Sequence, residues 1–105
     1  MIIYNVTVKV ESTIAVEWLE WMQQIHIPDV MNTGCFVSYR ISSLLNDEDS
    51  ENPTFIIQYN CASIENFKKY ELQFATNLRN DVTKKFGERF VAFRTLMEEI
   101  SNSGN

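Results

Sequence analysis

Residues 2–10 alternate without a break: Ile2, Tyr4, Val6, Val8 and Val10 point one way, and Ile3, Asn5, Thr7 and Lys9 point the other. A period of two belongs to an extended strand with one buried face. A helical period follows. Ala15, Leu19, Met22 and His26 form a stripe, widened by Trp18 and Ile25, with Glu17, Glu20 and Gln24 opposite. Ser12 or Thr13 is placed to cap this helix. Pro28 disfavours helical geometry at Ile27, so the regular helix should end or kink there, with Asp29 to Thr33 adding one more turn. Gly34 suits a left-handed stop.

The same order then returns. Cys35 to Leu45 reads as a second strand, the acidic run Asn46 to Asn52 (NDEDSEN) as a polar loop, and Thr54 to Cys61 as a third strand completing an antiparallel hairpin. Ser63 opens a long second helix with an apolar stripe through Ile64, Phe67, Phe74, Ala75, Leu78, Val82 and Phe86, and Gly87 closes it. Glu88 to Ile100 is the fourth strand and Ser101 to Asn105 a frayed tail. One domain over 1–100 accounts for the whole pattern, and 105 residues are too few for two domains. The order βαββαβ predicts an α+β fold, a ferredoxin-like sandwich with a four-stranded antiparallel sheet and both helices on one face.

Parity sorts the strands into two layers. Ile2, Tyr4, Val6, Val8, Val37, Tyr39, Ile41, Phe55, Ile57, Tyr59, Val91, Phe93 and Met97 are nearly all apolar and belong under the helices. The other set mixes Asn5, Thr7, Ser38, Arg40, Gln58, Asn60 and Arg94 with Ile3, Phe36, Ile56, Phe90, Ala92 and Leu96. A wholly solvated face would be more polar, and a dry one would not carry two unpaired arginines. The expectation is therefore a homodimer that meets through this mixed sheet face around a polar-lined cavity. Arg40 and Arg94 would orient an anionic ligand there, or else pair with acids across the seam. Asn5, Gln58 and Asn60 would complete the site or satisfy one another.

His26 is the sole histidine. It is the candidate general acid or base; the alternative is a hydrogen-bonded histidine favoured by its helix end. Trp21, three residues from Trp18, is a candidate stacking surface for a flat ligand, with core packing as the alternative. No cofactor or metal is expected. Two cysteines and one histidine cannot build a structural zinc site, and the acidic run lacks a calcium loop's glycine and terminal glutamate. Cys35 and Cys61 share the apolar parity and lie nearly opposite, but free thiols are expected in a cytoplasmic protein. The N-terminus has no signal-peptide pattern and no apolar run is long enough to cross a membrane. A net charge of −5 argues against nucleic acid. So does the third strand, which puts Ile56, Gln58 and Asn60 on its open side where RNA-recognition domains place aromatics.

The stretch Trp18-x-x-Trp21-Met22-x-x-x-His26-Ile27-Pro28-Asp29-Val30, with Thr33-Gly34, Tyr4-Asn5-Val6-Thr7 and Phe90 to Thr95, resembles an uncharacterised bacterial domain family of about this length. That family implies no activity. More broadly the chain is similar to the dimeric α+β barrel superfamily, in which small ferredoxin-like subunits pair sheet to sheet. Trp21, His26 and Pro28 loosely match the aromatic and His-x-Pro at the first helix end of its EthD-like members. The resemblance implies a dimer and a small-molecule cavity.

Overall fold

The computed structural model describes residues 1–49 and 51–104; Ser50 of the acidic loop and Asn105 of the tail lie outside the described residues. Strands β1 (Ile2–Val10), β2 (Ser38–Ser43), β3 (Thr54–Cys61) and β4 (Phe90–Glu98) form one antiparallel sheet in the order β2-β3-β1-β4. Helical rods α1 (residues 12–31) and α2 (residues 64–86) connect β1 to β2 and β3 to β4. Among the described residues no helix is long and apolar enough to cross a membrane.

The core forms where the helical stripes meet one sheet face. Tyr4, Val8 and Val10 from β1 and Phe55, Ile57, Tyr59 and Cys61 from β3 are buried against Trp18, Met22, Ile27 and Val30 of α1 and Tyr70, Ala75, Val82 and Phe86 of α2. Aromatic contacts tie the layers together: Trp18 stacks on Phe55 with ring centroids 5.2 Å apart, and Tyr4 packs on Tyr59, Phe67 and Tyr70. Such pairs add to simple burial because ring edges and faces carry opposite partial charge.

Both rods contain a wide turn. α1 begins as a 3-10 turn (Ser12–Ile14), becomes α-helical (Ala15–Trp21), widens to a π turn (Met22–His26) and resumes as α-helix (Ile27–Met31). The Ile27 N–H reaches back to the Met22 carbonyl, five residues away. A proline lacks an N–H and crowds the carbonyl four residues before it. The π turn shifts the ladder just ahead of Pro28, so the rod runs through the residue expected to end it. Neither Ser12 nor Thr13 caps the rod. The residue before it is Glu11, without a side-chain cap, and the Ser12 N–H instead donates to Asn52 Oδ1 at 3.1 Å. α2 carries its own π turn at Glu71–Ala75. Here the expected caps hold: Ser63 Oγ accepts from the Asn66 N–H, and Gly87 takes φ 65° at the C-terminus. Ser63→Ala is expected to cost about 1 kcal/mol of unfolding free energy, read from urea midpoints.

The β2–β3 connection folds back on Lys9. Its ammonium lies 3.1 Å from Asp47 and 3.4 Å from Asp49, and Asp47 also accepts from the Thr54 hydroxyl at 2.6 Å. The Thr54 hydroxyl and then Lys9 hold the Asp47 carboxyl below its ordinary range. Part of the acidic run thus anchors the hairpin. Cys35 and Cys61 are buried free thiols, and the Cys61 thiol donates to the Cys35 carbonyl at 3.2 Å. Burial is the main reason the Cys61 thiol is pushed up.

Two strand readings are corrected by the register. In β4, Phe90, Ala92, Arg94 and Leu96 pair with Val10, Val8, Val6 and Tyr4, so they share the helix-covered side. Val91, Phe93 and Met97 pair with Lys9, Thr7 and Ile3 on the open side. Arg94 therefore does not belong to the mixed open face. The alternation of β4 is apolar on both sides, and an arginine placed at a cavity mouth reverses the apparent polarity. Before β2 the alternation also breaks. Phe36, expected outside, is buried against Tyr4, Tyr59 and Tyr70, while Val37 is exposed.

Candidate functional site

The space between rods and sheet is not filled along the β1–β4 side. A cavity of about 280 Å³ opens there. Val6 and Val8 of β1 and Phe90 and Ala92 of β4 supply its floor, Trp18 and Met22 one wall, and Val82 and Thr83 the other. His26, Arg79 and Arg94 also line it. A smaller chamber of about 30 Å³ adjoins it, bounded by Tyr4, Ile57, Tyr59 and Tyr70; Val6, Met22, His26, Arg79 and Arg94 line both spaces.

Each polar group is held there by a local reason. His26 closes the π turn of α1, which rotates it onto the cavity, and its ring stacks on Trp21 at 5.8 Å between centroids. Burial pushes its pKa down to about 4; Asp29 and Asp81 pull upward, and Arg94 adds a smaller downward push. The ring is therefore neutral at pH 7. Arg79 projects from α2. Its Nη2 donates to Tyr4 Oη at 2.9 Å and to Glu71 Oε1 at 2.7 Å. Desolvation opposes its charge, but the bonds to Tyr4 and Glu71 prevail and its pKa is raised. Arg94 extends from β4 opposite Val6 and is exposed at the mouth. The ion pairs among the described residues use Lys9, Arg79, Lys85 and Arg89, not Arg94.

Three buried polar atoms have no hydrogen-bond partner among the described residues: Trp18 Nε1, Tyr59 Oη and Arg79 Nε. All three belong to residues that line the two joined spaces. An unmet buried donor costs about 1–3 kcal/mol, so such atoms are uncommon; here their near-zero accessibility sets them behind the cavity surface rather than on it. Burial also raises the pKa values of Tyr59 and Tyr70, which keep their protons.

The residues singled out in the sequence divide between two places. His26 and Arg94 come together at the cavity. Trp21 stands behind His26, packs edge-on against Phe86 and faces an outer groove instead. Arg40, Gln58 and Asn5 fall in one cross-strand row on the open face, and that row ends at Thr95 rather than Arg94. The cavity beneath the rods is thus separate from the polar row on the open face, which is a correction to the expected clustering of both arginines. Asn5 donates to Thr7 and Asn60 to Ser38, so part of that face satisfies itself. Sequence reading alone misses Arg79, Trp18, Tyr59 and Tyr70 as site residues. Arg79 follows Leu78 and precedes Val82 in the apolar stripe of α2, and a charge inside such a stripe is the available signal. Among the described residues no three His, Cys, Asp or Glu side chains gather as metal ligands.

No curated protein matches the chain. Solved structures do. A dimeric ferredoxin-like protein from an uncultured marine organism superposes with a TM-score of 0.73 at 14% identity, covering 100% of both chains. SnoaB, a cofactor-independent oxygenase from Streptomyces nogalater, gives 0.69 at 10% identity, over 99% of this chain and 98% of its own. MhuD, solved with two manganese protoporphyrin IX molecules bound per active site, gives 0.66 at 15% identity over 100% of both. At these identities the likeness establishes the ferredoxin-like fold. Over residues 1–100 the sequence matches one family along its length, and the chain belongs to it: the domain of unknown function DUF4286.

Proposed function

We propose that this protein is a homodimeric barrel subunit that binds a small aromatic or anionic metabolite in the cavity between its helices and its sheet. The observation that carries this reading is one cavity that brings His26, Arg79 and Arg94 together among apolar walls. Apolar walls with a few convergent polar groups are the usual composition of a small-molecule site. The ligand-binding neighbours, an oxygenase and a porphyrin-bound protein, support it as analogy.

In this reading Arg94 meets the ligand's charge at the mouth and His26 faces its body. A histidine with a pKa near 4 is a weak base at pH 7, so in the ligand-free protein His26 is a neutral ring with one donor and one acceptor nitrogen. An anion seated beside it would raise its proton affinity toward the range useful for acid–base work. Catalysis by His26 therefore depends on the ligand being in place. The test is thermal melting with a broad metabolite panel. A stabilising shift that disappears in both Arg94→Ala and His26→Gln is expected; no shift across the panel would count against the reading.

The open sheet face supplies the dimer seam. Val91, Phe93 and Met97 are exposed there, Phe93 at 66%, beside Ile3. Two of the structural neighbours are dimeric ferredoxin-like proteins. Because Phe93 rather than Arg94 occupies this face, Phe93→Glu is the substitution expected to convert a dimer to a monomer by light scattering at micromolar concentration. A wild-type monomer under the same conditions would remove the seam. A non-catalytic interaction module is the second reading; the same apolar strip favours it, and it predicts a dimer with no ligand response.

A further inference from the structure

We propose that the cavity selects a hydroxylated aromatic monocarboxylate, its carboxylate against Arg94 and its hydroxyl bonded to His26, an inference that rests on the cavity being a ligand site. Four observations lead there. First, neither joined space is lined by an aspartate or glutamate, so nothing in its wall repels an anion directly. Second, its two arginines differ. Arg79 is already tied to Glu71 at 2.7 Å and to Tyr4, whereas Arg94 joins none of the ion pairs among the described residues. The wall thus offers one uncompensated positive charge, which matches a monoanion better than a dianion. A guanidinium forms two parallel bonds to a carboxylate, which makes Arg94 selective for that group.

Third, His26 lines the cavity. Burial keeps its ring neutral, so it carries one donor and one acceptor nitrogen. A phenolic hydroxyl both donates and accepts, so it can bond whichever ring nitrogen it meets. Fourth, the remaining wall is apolar: Val6, Val8, Val82, Phe90 and Ala92, beside the Trp18 ring. A space of about 280 Å³ takes a single-ring ligand with a short side chain and excludes a large polycycle from the closed protomer. Arg94 and His26 both line the outer cavity, so a single ligand has access to both.

Titration calorimetry with 2-, 3- and 4-hydroxycinnamate, their methyl esters and cinnamate tests this. At least one hydroxycinnamate is expected to bind ten-fold or more tightly than its ester. Arg94→Ala should erase that difference, and Arg94→Lys should restore part of it. His26→Phe should remove the preference of the hydroxylated acid over cinnamate. Circular dichroism checks that each variant is folded. If ester and acid bind equally, the selection of a carboxylate is wrong and the ligand site stands. The selection is equally wrong if none of these compounds binds but another metabolite gives a shift that depends on Arg94. If neither these compounds nor the wider panel binds, both readings fall.

Discussion

Trp18→Ala is expected to lower the unfolding free energy by about 3–5 kcal/mol. Trp18 is fully buried, stacks on Phe55 and forms a wall of the cavity, so its removal merges a core void with an existing one. The surroundings cannot collapse to fill it, because β1 and β4 hold the floor by paired backbone bonds. Domains of this size are stable by about 5–15 kcal/mol, so the variant should be close to unfolded at moderate temperature. Trp18→Phe separates packing from polarity. It keeps a ring over Phe55 and removes a buried N–H that has no partner among the described residues. Its cost should be well under half that of alanine. Urea midpoints of the two variants separate the two effects; equal losses would mean that the indole N–H is engaged in the unliganded protein.

Stability should also fall as the pH is lowered from about 6.5 to 4, by at most about 3 kcal/mol, because of His26. Folding lowers the pKa of His26 from 6.5 to about 4. Between those values the unfolded chain takes up a proton that the folded chain refuses, so acid favours unfolding. Above pH 6.5 the full stability is present, and below pH 4 this contribution has gone. Asp29, Asp81 and Arg94 are the charged groups acting on the ring, and the two acids moderate the burial effect. The depressed carboxyl groups of Asp47 and Asp49 act in a lower window, since their contribution is lost only as the pH falls through their folded values. Urea denaturation at pH 7.5, 5.5 and 4.5 should show a slope that His26→Gln removes. An unchanged slope in that variant would place the titration elsewhere.

The degree to which this site is legible in the sequence varies residue by residue. His26 is visible as the last member of a helical stripe, and a stripe position already implies a half-buried ring. Arg94 is visible as a charge in a strand, but parity puts it on the wrong side. A strand with apolar residues at both parities has no internal signal for which face is covered, and only pairing with β1, Val6 against Arg94, decides it. The π turn before Pro28 has no local signature beyond the proline itself. Arg40, Gln58 and Asn5 fall together as their parity predicts, because β1 and β3 alternate cleanly and fix each other's register.

Local periodicity by itself determined the order of strands and helices, the ferredoxin-like topology and the polar row on the open face, since period and parity are properties of neighbouring residues. The cavity was decided only in three dimensions. Arg79, Trp18, Tyr59 and Arg94 come from α2, α1, β3 and β4, and their polar atoms acquire meaning only when packing buries some and leaves others at the opening. No local pattern encodes that a buried donor lacks a partner, because the partner it lacks would have come from a distant part of the chain.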